Sequence, residues 1–364
     1  MASYKDEVKK AILKVVDDQH YILGENVTKF EAEFAGYMHH KYCVGVGNGT
    51  DAIRIALLAL GVKPGDEVIS PAFNVAYTAL AVEAIGAKNV FVDCWPNDTN
   101  MMLSAVEEAI TVRTRAIIAV HLYGHMEDME GLSALAKAYG LLLIEDAAQA
   151  HGASTTDMVH GSTRPGYYSD AVAYSFYPTK NLGALGEAGA IITNLDVVAD
   201  RARLLRDGGR TDRYLHVLPG INSGLDEIQA AVLRVKLPYL ERNNIKRTVA
   251  ATYYAEGLRG VGDVKFPSVN HRDVYHLYVI RTKRREALRE HLLSRGVPSL
   301  VHYPVPVPYQ PCFLTATMGG PWPNAEEQAR RVLSLPMHAD ITVAEQDMVI
   351  AAVKEFYSVI QDTA

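Results

Sequence analysis

Residues 170–189, DAVAYSFYPTKNLGALGEAG, decide how the chain is read. They open as a buried strand over 171–176, apolar and with little charge, and break at Pro178. Lys180 then stands where the strand pattern gives way to Asn181 and Gly183. A lysine in largely apolar company loses solvation of its ammonium form, so its pKa falls and more of it is a free amine able to attack a carbonyl. A single loop lysine is more often a solvated surface charge. Three other stretches bear on the choice.

Upstream, residues 44–61 (VGVGNGTDAIRIALLALG) take a short strand through a small-residue turn into a helix with apolar Ile53, Ile55, Leu57, Leu58 and Leu60. Gly47 and Gly49 let the backbone approach a ligand, and the turn around Thr50 leaves N–H groups at a helix N-terminus, a cradle for phosphate or simply a capped helix. Residues 141–153 (LLLIEDAAQAHGA) form an apolar strand ending in Glu145, Asp146 and Gln149. In a parallel sheet ligands lie beyond the carboxyl ends of the strands, which aims Asp146 at the site that Lys180 faces; a helix N-cap is its ordinary alternative. Residues 218–233 (LPGINSGLDEIQAAVL) are a polar loop entering an amphipathic helix, with Asn222 and Asp226 as plausible caps.

Together these stretches offer an amine for an imine, a carboxylate for a pyridinium nitrogen, and a helix N-terminus with hydroxyls for a phosphate, the needs of pyridoxal phosphate. The sequence resembles the keto-sugar aminotransferases of the DegT type, a branch of the fold-type I, aspartate aminotransferase-like enzymes. The phrases that carry the resemblance are GNGTDA, PGDEVISPAF, HLYG, EDAAQAHGA, SFYPTKNLGA, NSGLDE, VYHLYVIR and HYPVP, in the family's order. The resemblance implies an α/β fold: a large domain with a mostly parallel, seven-stranded-type sheet, then a smaller C-terminal α+β domain.

Composition and chain order agree. The chain has 364 residues, 49% hydrophobic and 21% charged, enough for two domains and a sizeable core. Its net charge of −6 carries no basic excess, which argues against nucleic-acid binding. Cys43, Cys94 and Cys312 are far apart, odd in number and without CxxC spacing; they read as reduced, buried thiols of a cytoplasmic protein, with no metal site. No targeting segment or membrane-length apolar run is visible, and residues 1–20 read as an amphipathic helix. Between residues 66 and 193 strand and helix patterns alternate, which predicts a mostly parallel sheet covered on both faces. The pattern changes near residue 240, after a long helix broken by Pro238. This places a large cofactor domain at 1–240 and a small domain at 241–364.

By resemblance, Lys180 is the Schiff-base lysine, Asp146 the pyridinium partner, and Gln149 a neighbour of the cofactor ring. Ser175, Gly49 and Thr50 hold the phosphate. Asn222 matches an asparagine that reaches the same phosphate from the neighbouring subunit of a homodimer with shared sites. The substrate set matches Tyr177, Arg213, His302 and Tyr303. Their ordinary readings are a core tyrosine, a solvated loop arginine and a strand histidine bonded to backbone. The chain departs from the family pattern at Val75, where a ring-stacking aromatic is common and Tyr77 lies two positions on. It also departs at GEAG (186–189) in place of GDGG, at Gly224 in place of arginine, and at Pro308 in place of histidine. The implied reaction moves an amino group from an amino acid, glutamate by resemblance, to a keto-deoxysugar nucleotide. A dTDP-linked 4-keto-6-deoxyhexose aminated at C4 or C3 is the first expectation. A keto-inositol (cyclitol) is the neighbouring alternative, and a non-catalytic cofactor-binding sensor or scaffold the alternative of another class. Related dehydratases carry histidine at the lysine position, and Lys180 argues against that activity.

Overall fold

Apolar residues on both sides of each central strand require helices on both faces of the sheet, and the computed structural model has that arrangement. It describes residues 4–157, 161–267, 269–313 and 318–361. Helices α1 (Lys5–Asp18) and α2 (Glu25–Met38) precede β1 (Tyr42–Val46), α3 (Gly49–Ala59), β2 (Glu67–Pro71), α4 (Ala76–Glu83) and β3 (Lys88–Val92). The chain continues through α5 (Leu103–Glu108), β4 (Thr114–Val120), α6 (Met129–Tyr139) and β5 (Leu142–Asp146). A small hairpin of β6 (Thr155–Asp157) and β7 (Gly161–Thr163) leads to β8 (Ala171–Ser175), β9 (Gly189–Thr193) and α7 (Asp196–Arg206). The predicted long helix is α8 (Glu227–Lys236) and α9 (Leu240–Leu258), separated by a 3-10 turn holding Pro238. Proline lacks the N–H that an uninterrupted helix needs there.

Among the described residues the main sheet has eight strands in the order β1-β9-β8-β5-β4-β2-β3-β11, the last being only Met318–Gly319. Strands β8, β5, β4, β2 and β3 are mutually parallel, while β9 runs antiparallel to both β8 and β1. Two reversals bring the carboxyl end of β1 back to the edge where β2, β4, β5 and β8 also end. The loops after β1, β5 and β8 therefore open on one edge of the sheet, where the isolated bridge of Gly224 to Val46 brings the segment before α8.

Side chains alternate across the sheet. Val44, Val46, Ile118 and Ile144 pack under α3, α4 and α7, whereas Cys43, Ile117, Ala119 and Leu143 pack against α2, α6 and α8. A third core gathers Tyr254, Leu258, Tyr278, Ile280, Leu288, Leu333, Val353 and Phe356. These residues come from α9, β10 (Tyr278–Arg281), α10 (Arg285–Ser294), β12 (Val332–Leu335) and α12 (Val343–Gln361), with β10 and β12 antiparallel. One expectation fails: Cys43 and Cys94 are buried, but Cys312 is exposed. It follows four prolines and stands exposed in a turn at 311–313. Among the described residues no helix is long and apolar enough to cross a membrane.

Candidate active site

Asp146 comes from β5 and Lys180 from the loop that follows its parallel neighbour β8. Asp146 closes β5 and pairs in register with Ala173 of β8, seven residues before Lys180. Alternation along β5 turns the neighbouring carboxylates to opposite faces. Glu145 is fully buried; it accepts hydrogen bonds from Gly166 N (2.7 Å) and Ser169 Oγ (2.5 Å) and lies 2.6 Å from His121 Nε2. Since His121 Nδ1 accepts from Glu127 N, the proton sits on Nε2 and points at Glu145. Asp146 faces the other way, accepting from Thr78 Oγ1 at 2.7 Å and Ala148 N at 3.1 Å. Thr78 in turn accepts from Asn74 Nδ2 at 2.9 Å, so the carboxylate is held at one angle by a buried chain of polar groups.

Lys180 is half-buried, and burial lowers its pKa to about 8 against the opposing pull of Asp146. Three histidines report its charge. His151 is lowered to about 3, His276 falls well below the ordinary imidazole range, and His302 is lowered, in each case by burial first and by Lys180 next. The lysine thus sits among imidazoles that stay neutral beside it.

Gln149 lies one turn past Asp146. Its Oε1 accepts from Tyr123 N at 2.6 Å and its Nε2 donates to the Tyr303 hydroxyl at 3.1 Å. Burial pushes Tyr303 up to about 12, so it remains a phenol. Tyr123 also donates its hydroxyl to His302 O, and His302 Nδ1 lies 2.8 Å from Ser334 Oγ. Five predicted residues (Asp146, Gln149, Lys180, His302 and Tyr303) are therefore joined in one region.

The turn before α3 meets this region across β9. Ser175 and Val46 both pair with Gly189, which sets the carboxyl ends of β8 and β1 on either side of one glycine. A Cβ on Gly189 would stand 2.4 Å from Asn48 O, and one on Gly49 would stand 2.6 Å from Ser175 Cβ. Only glycine at both positions lets the start of α3 settle over the strand ends. Asn48 caps α3 through Asp51 N at 2.8 Å, leaving Gly49 and Thr50 in its first turn beside the Ser175 hydroxyl. Ser223 fastens the following segment to the same turn, donating from Oγ to Asp51 at 2.7 Å and accepting from Gly47 N. Its neighbour Asn222 is exposed and bridges to Asp207.

Of the remaining two predicted contacts, Tyr177 adjoins Lys180, its carbonyl accepting from Lys180 N at 2.8 Å, while Arg213 lies apart. Tyr177 is exposed rather than part of the core. Arg213 is exposed on the loop between α7 and α8, its guanidinium over the Tyr214 ring at 5.4 Å. Tyr77 is 61% exposed and Val75 half-buried, so Thr78 is the member of that segment that reaches Asp146. Sequence reading missed Thr78, Asn74 and Tyr123. The available signal was a buried-type polar pair, Asn74 and Thr78, spaced i, i+4 in an otherwise apolar stretch.

The model of the DegT/DnrJ/EryC1/StrS aminotransferase family matches residues 2–354. A dTDP-3-amino-3,4,6-trideoxy-alpha-D-glucose transaminase of Streptomyces venezuelae is 44% identical over 361 residues, covering 98% of this chain and 94% of its own. A pleiotropic regulatory protein of Geobacillus stearothermophilus is also 44% identical, over 360 residues, 97% of this chain and 95% of its own. The crystal structure of S. venezuelae DesV superposes with a TM-score of 0.93 at 43% identity, over 98% of this chain and 96% of that one. The chain therefore belongs to the DegT/DnrJ/EryC1/StrS aminotransferase family and is a pyridoxal phosphate-dependent aminotransferase.

Proposed function

We propose that this enzyme transfers an amino group from glutamate to a keto-deoxysugar nucleotide, a dTDP-linked 4-keto-6-deoxyhexose aminated at C4 or C3. The observation that carries the reading is the amine of Lys180, lowered to about 8, at the end of one strand, with the Thr78-locked carboxylate of Asp146 at the end of the next. The transaminase name of the S. venezuelae relative supports the sugar-nucleotide class.

The residues present fit the cofactor. The first turn of α3, closed against Ser175 by Gly49, offers N–H and hydroxyl donors to a phosphate. Bound pyridoxal phosphate supplies an electron sink that lets the Cα–H of an amino acid ionise. In this reading Asp146 keeps a negative charge at the ring nitrogen and Gln149, pinned by Tyr123 and Tyr303, borders the ring. Lys180 Nζ would hold the cofactor at rest and, once displaced by the donor's amine, would take the donor's Cα proton and pass it to the cofactor instead of back to Cα. Its lowered pKa suits it to both, since only the neutral amine accepts a proton. His302 and Tyr303 face the substrate from the same chain, with Tyr177 at the rim.

Arg213 and Asn222 serve the neighbouring subunit's site in a homodimer, with Asn222 at the phosphate. Exposed Tyr214, Leu215 and Val217 beside Arg213 support a covered surface there. We place the domain division near residue 240, supported by the separate core that begins in α9, and the enzyme in the cytoplasm, supported by free, buried Cys43 and Cys94.

The regulatory name of the Geobacillus relative favours a second reading, a cofactor-binding regulator without turnover. One experiment separates the two. Purified protein loaded with pyridoxal phosphate is treated with borohydride and mapped, and a second sample receives glutamate. Label on Lys180 and loss of the visible band with glutamate are expected. Label on another lysine overturns the site, and a band that glutamate leaves unchanged favours the regulator.

A further inference from the structure

Asp146 and Lys180 work as a pair, yet the sheet fixes only the strands beneath them. The last ladder contacts are the Asp146 and Ala173 pairing and the bond from Ala147 N to Ala173 O at 2.9 Å. Beyond them the two loops separate, one carrying Gln149 and His151, the other Tyr177, Lys180 and Asn181. His151 still packs on Tyr174 and Phe176 (ring centroids 5.2 and 5.5 Å), and nearer Lys180 a side chain from α9 ties the two loops by hydrogen bonds. Asn244, 5% exposed, accepts from Asn181 Nδ2 at 2.9 Å and donates its own Nδ2 to His151 O at 2.8 Å. Asn181, next in sequence to Lys180, also donates to Val274 O at 2.8 Å. The same face of α9 continues the grip: Arg247, one turn on, donates to Tyr275 O (3.0 Å) and His276 O (3.3 Å).

We propose that Asn244 is a positioning residue that sets Lys180 against Asp146, by bonding the lysine loop with its oxygen and the aspartate loop with its nitrogen. The inference rests on the functional reading above. The amide of Asn244 meets a donor with its oxygen and an acceptor with its nitrogen, each satisfied in a buried place. Asn244→Asp keeps the acceptor but turns a second oxygen toward the His151 carbonyl; Asn244→Leu removes both bonds at similar volume. The C-terminal segment is thereby part of the catalytic apparatus, and the amine of Lys180 senses α9 although α9 contributes no group to the reaction.

The test uses the enzyme loaded with pyridoxal phosphate. Its visible band is titrated against pH, which reads the proton shared with Lys180. The single-turnover rate with saturating glutamate is measured per loaded site. Asn244→Asp and Asn244→Leu are expected to move the titration midpoint by about half a pH unit or more and to slow single turnover about tenfold. Asn181→Ala, which cuts the same link but leaves α9 bonded to His151, gives the same signature where the Asn244 variants fold poorly. Tyr254→Phe removes the α9 hydroxyl bond to Pro336 O; it is the control, expected to lower the melting temperature with midpoint and rate unchanged. If the Asn244 and Asn181 variants behave like that control, the positioning role is wrong and the amide only stabilises the fold. If the wild-type protein shows no band that glutamate bleaches, the functional reading fails, and this proposal with it.

Discussion

The region around Lys180 and the arm of residues 207–222 differ in how much of their surroundings one chain supplies. Around Lys180 each proposed polar group has a partner in the same chain: Asp146 has Thr78, Gln149 has Tyr123 and Tyr303, and His302 has Ser334. The arm is rooted on the main core by Leu218 and Ile221, but its tip is held by bonds within the arm. Asp212 accepts from Tyr214 N and Leu215 N, Val217 N bonds Gly209 O, and Asp207 bridges to Asn222. Outward it presents Tyr214 at 80% exposure together with Leu215, Val217 and Arg213. Aromatic and aliphatic side chains held out on an ordered turn lose contact energy unless something covers them. The contrast separates a cofactor site preorganised within the chain from a substrate arm that we propose is completed by a second copy.

The largest expected effect falls on the first region. Lys180→Ala should abolish the visible band and lower turnover about 10⁴-fold, the upper range for removing a positioned acid–base group. Asp146→Asn should keep the fold, because the amide oxygen still accepts from Thr78, but lower turnover by about 10²-fold or more through loss of the fixed charge. Both are checked by glutamate-dependent transamination with absorption spectra of each variant. Near wild-type turnover of Asp146→Asn would break the idea of a preorganised carboxylate. Glu145 is no substitute, since it points to the opposite face and is engaged by His121, Ser169 and Gly166.

An intermediate effect tests the arm. Lys180→Ala chains mixed with Asn222→Ala chains place both defects in one site of a mixed dimer and neither in the other. With each parent nearly inactive and exchange verified by mass tags, random reassortment should restore about a quarter of wild-type activity, half the dimers being mixed and each having one intact site. Exchange without recovery would mean that Asn222 serves its own chain, to which Ser223 already ties it through Asp51 and Gly47.

Legibility follows the same divide. Lys180, Asp146, Gln149, Ser175 and Gly49 could be read because each sits where a strand pattern ends, and parallel strands put their carboxyl ends on one edge. The eighth strand, two residues long, leaves no periodicity to detect. Thr78 and Asn244 were opaque for a different reason. A threonine in an apolar helix or an asparagine in the polar run ERNN is ordinary, and its meaning appears only when a partner 68 or 63 residues away in sequence is placed beside it. Tyr123 acts through a backbone N–H made available by a left-handed conformation (φ 62°), which its residue type disfavours and so conceals. Arg213 remained a family match, because its guanidinium lies over the neighbouring Tyr214 ring, away from Lys180.

The smallest expected effect sharpens how firmly the first region is joined to the C-terminal segment that α9 grips. His125, in the turn after Tyr123, lies 3.0 and 3.1 Å from the two oxygens of Asp273, just before Val274 and the segment bonded by Arg247. Burial lowers the imidazole pKa, but the hydrogen bond and charge of Asp273, with Asp98 and Glu127 nearby, outweigh it and raise the value to about 9 from 6.5. A folded-state pKa above the unfolded one means that protonated His125 favours the folded state. That contribution is complete below about pH 6.5 and disappears as pH rises through about 9. His125 is partly exposed, and solvent screening keeps the effect modest. Asp273→Asn should therefore lower the melting temperature by about 1–3 °C at pH 6, with the difference from wild type closing by pH 10. Calorimetric scans of both proteins across that range are the measurement. A difference that stays constant with pH would show that Asp273 holds the junction through its bonds to Asn270 and the backbone rather than through His125, and that the turn carrying Tyr123 is not anchored by charge.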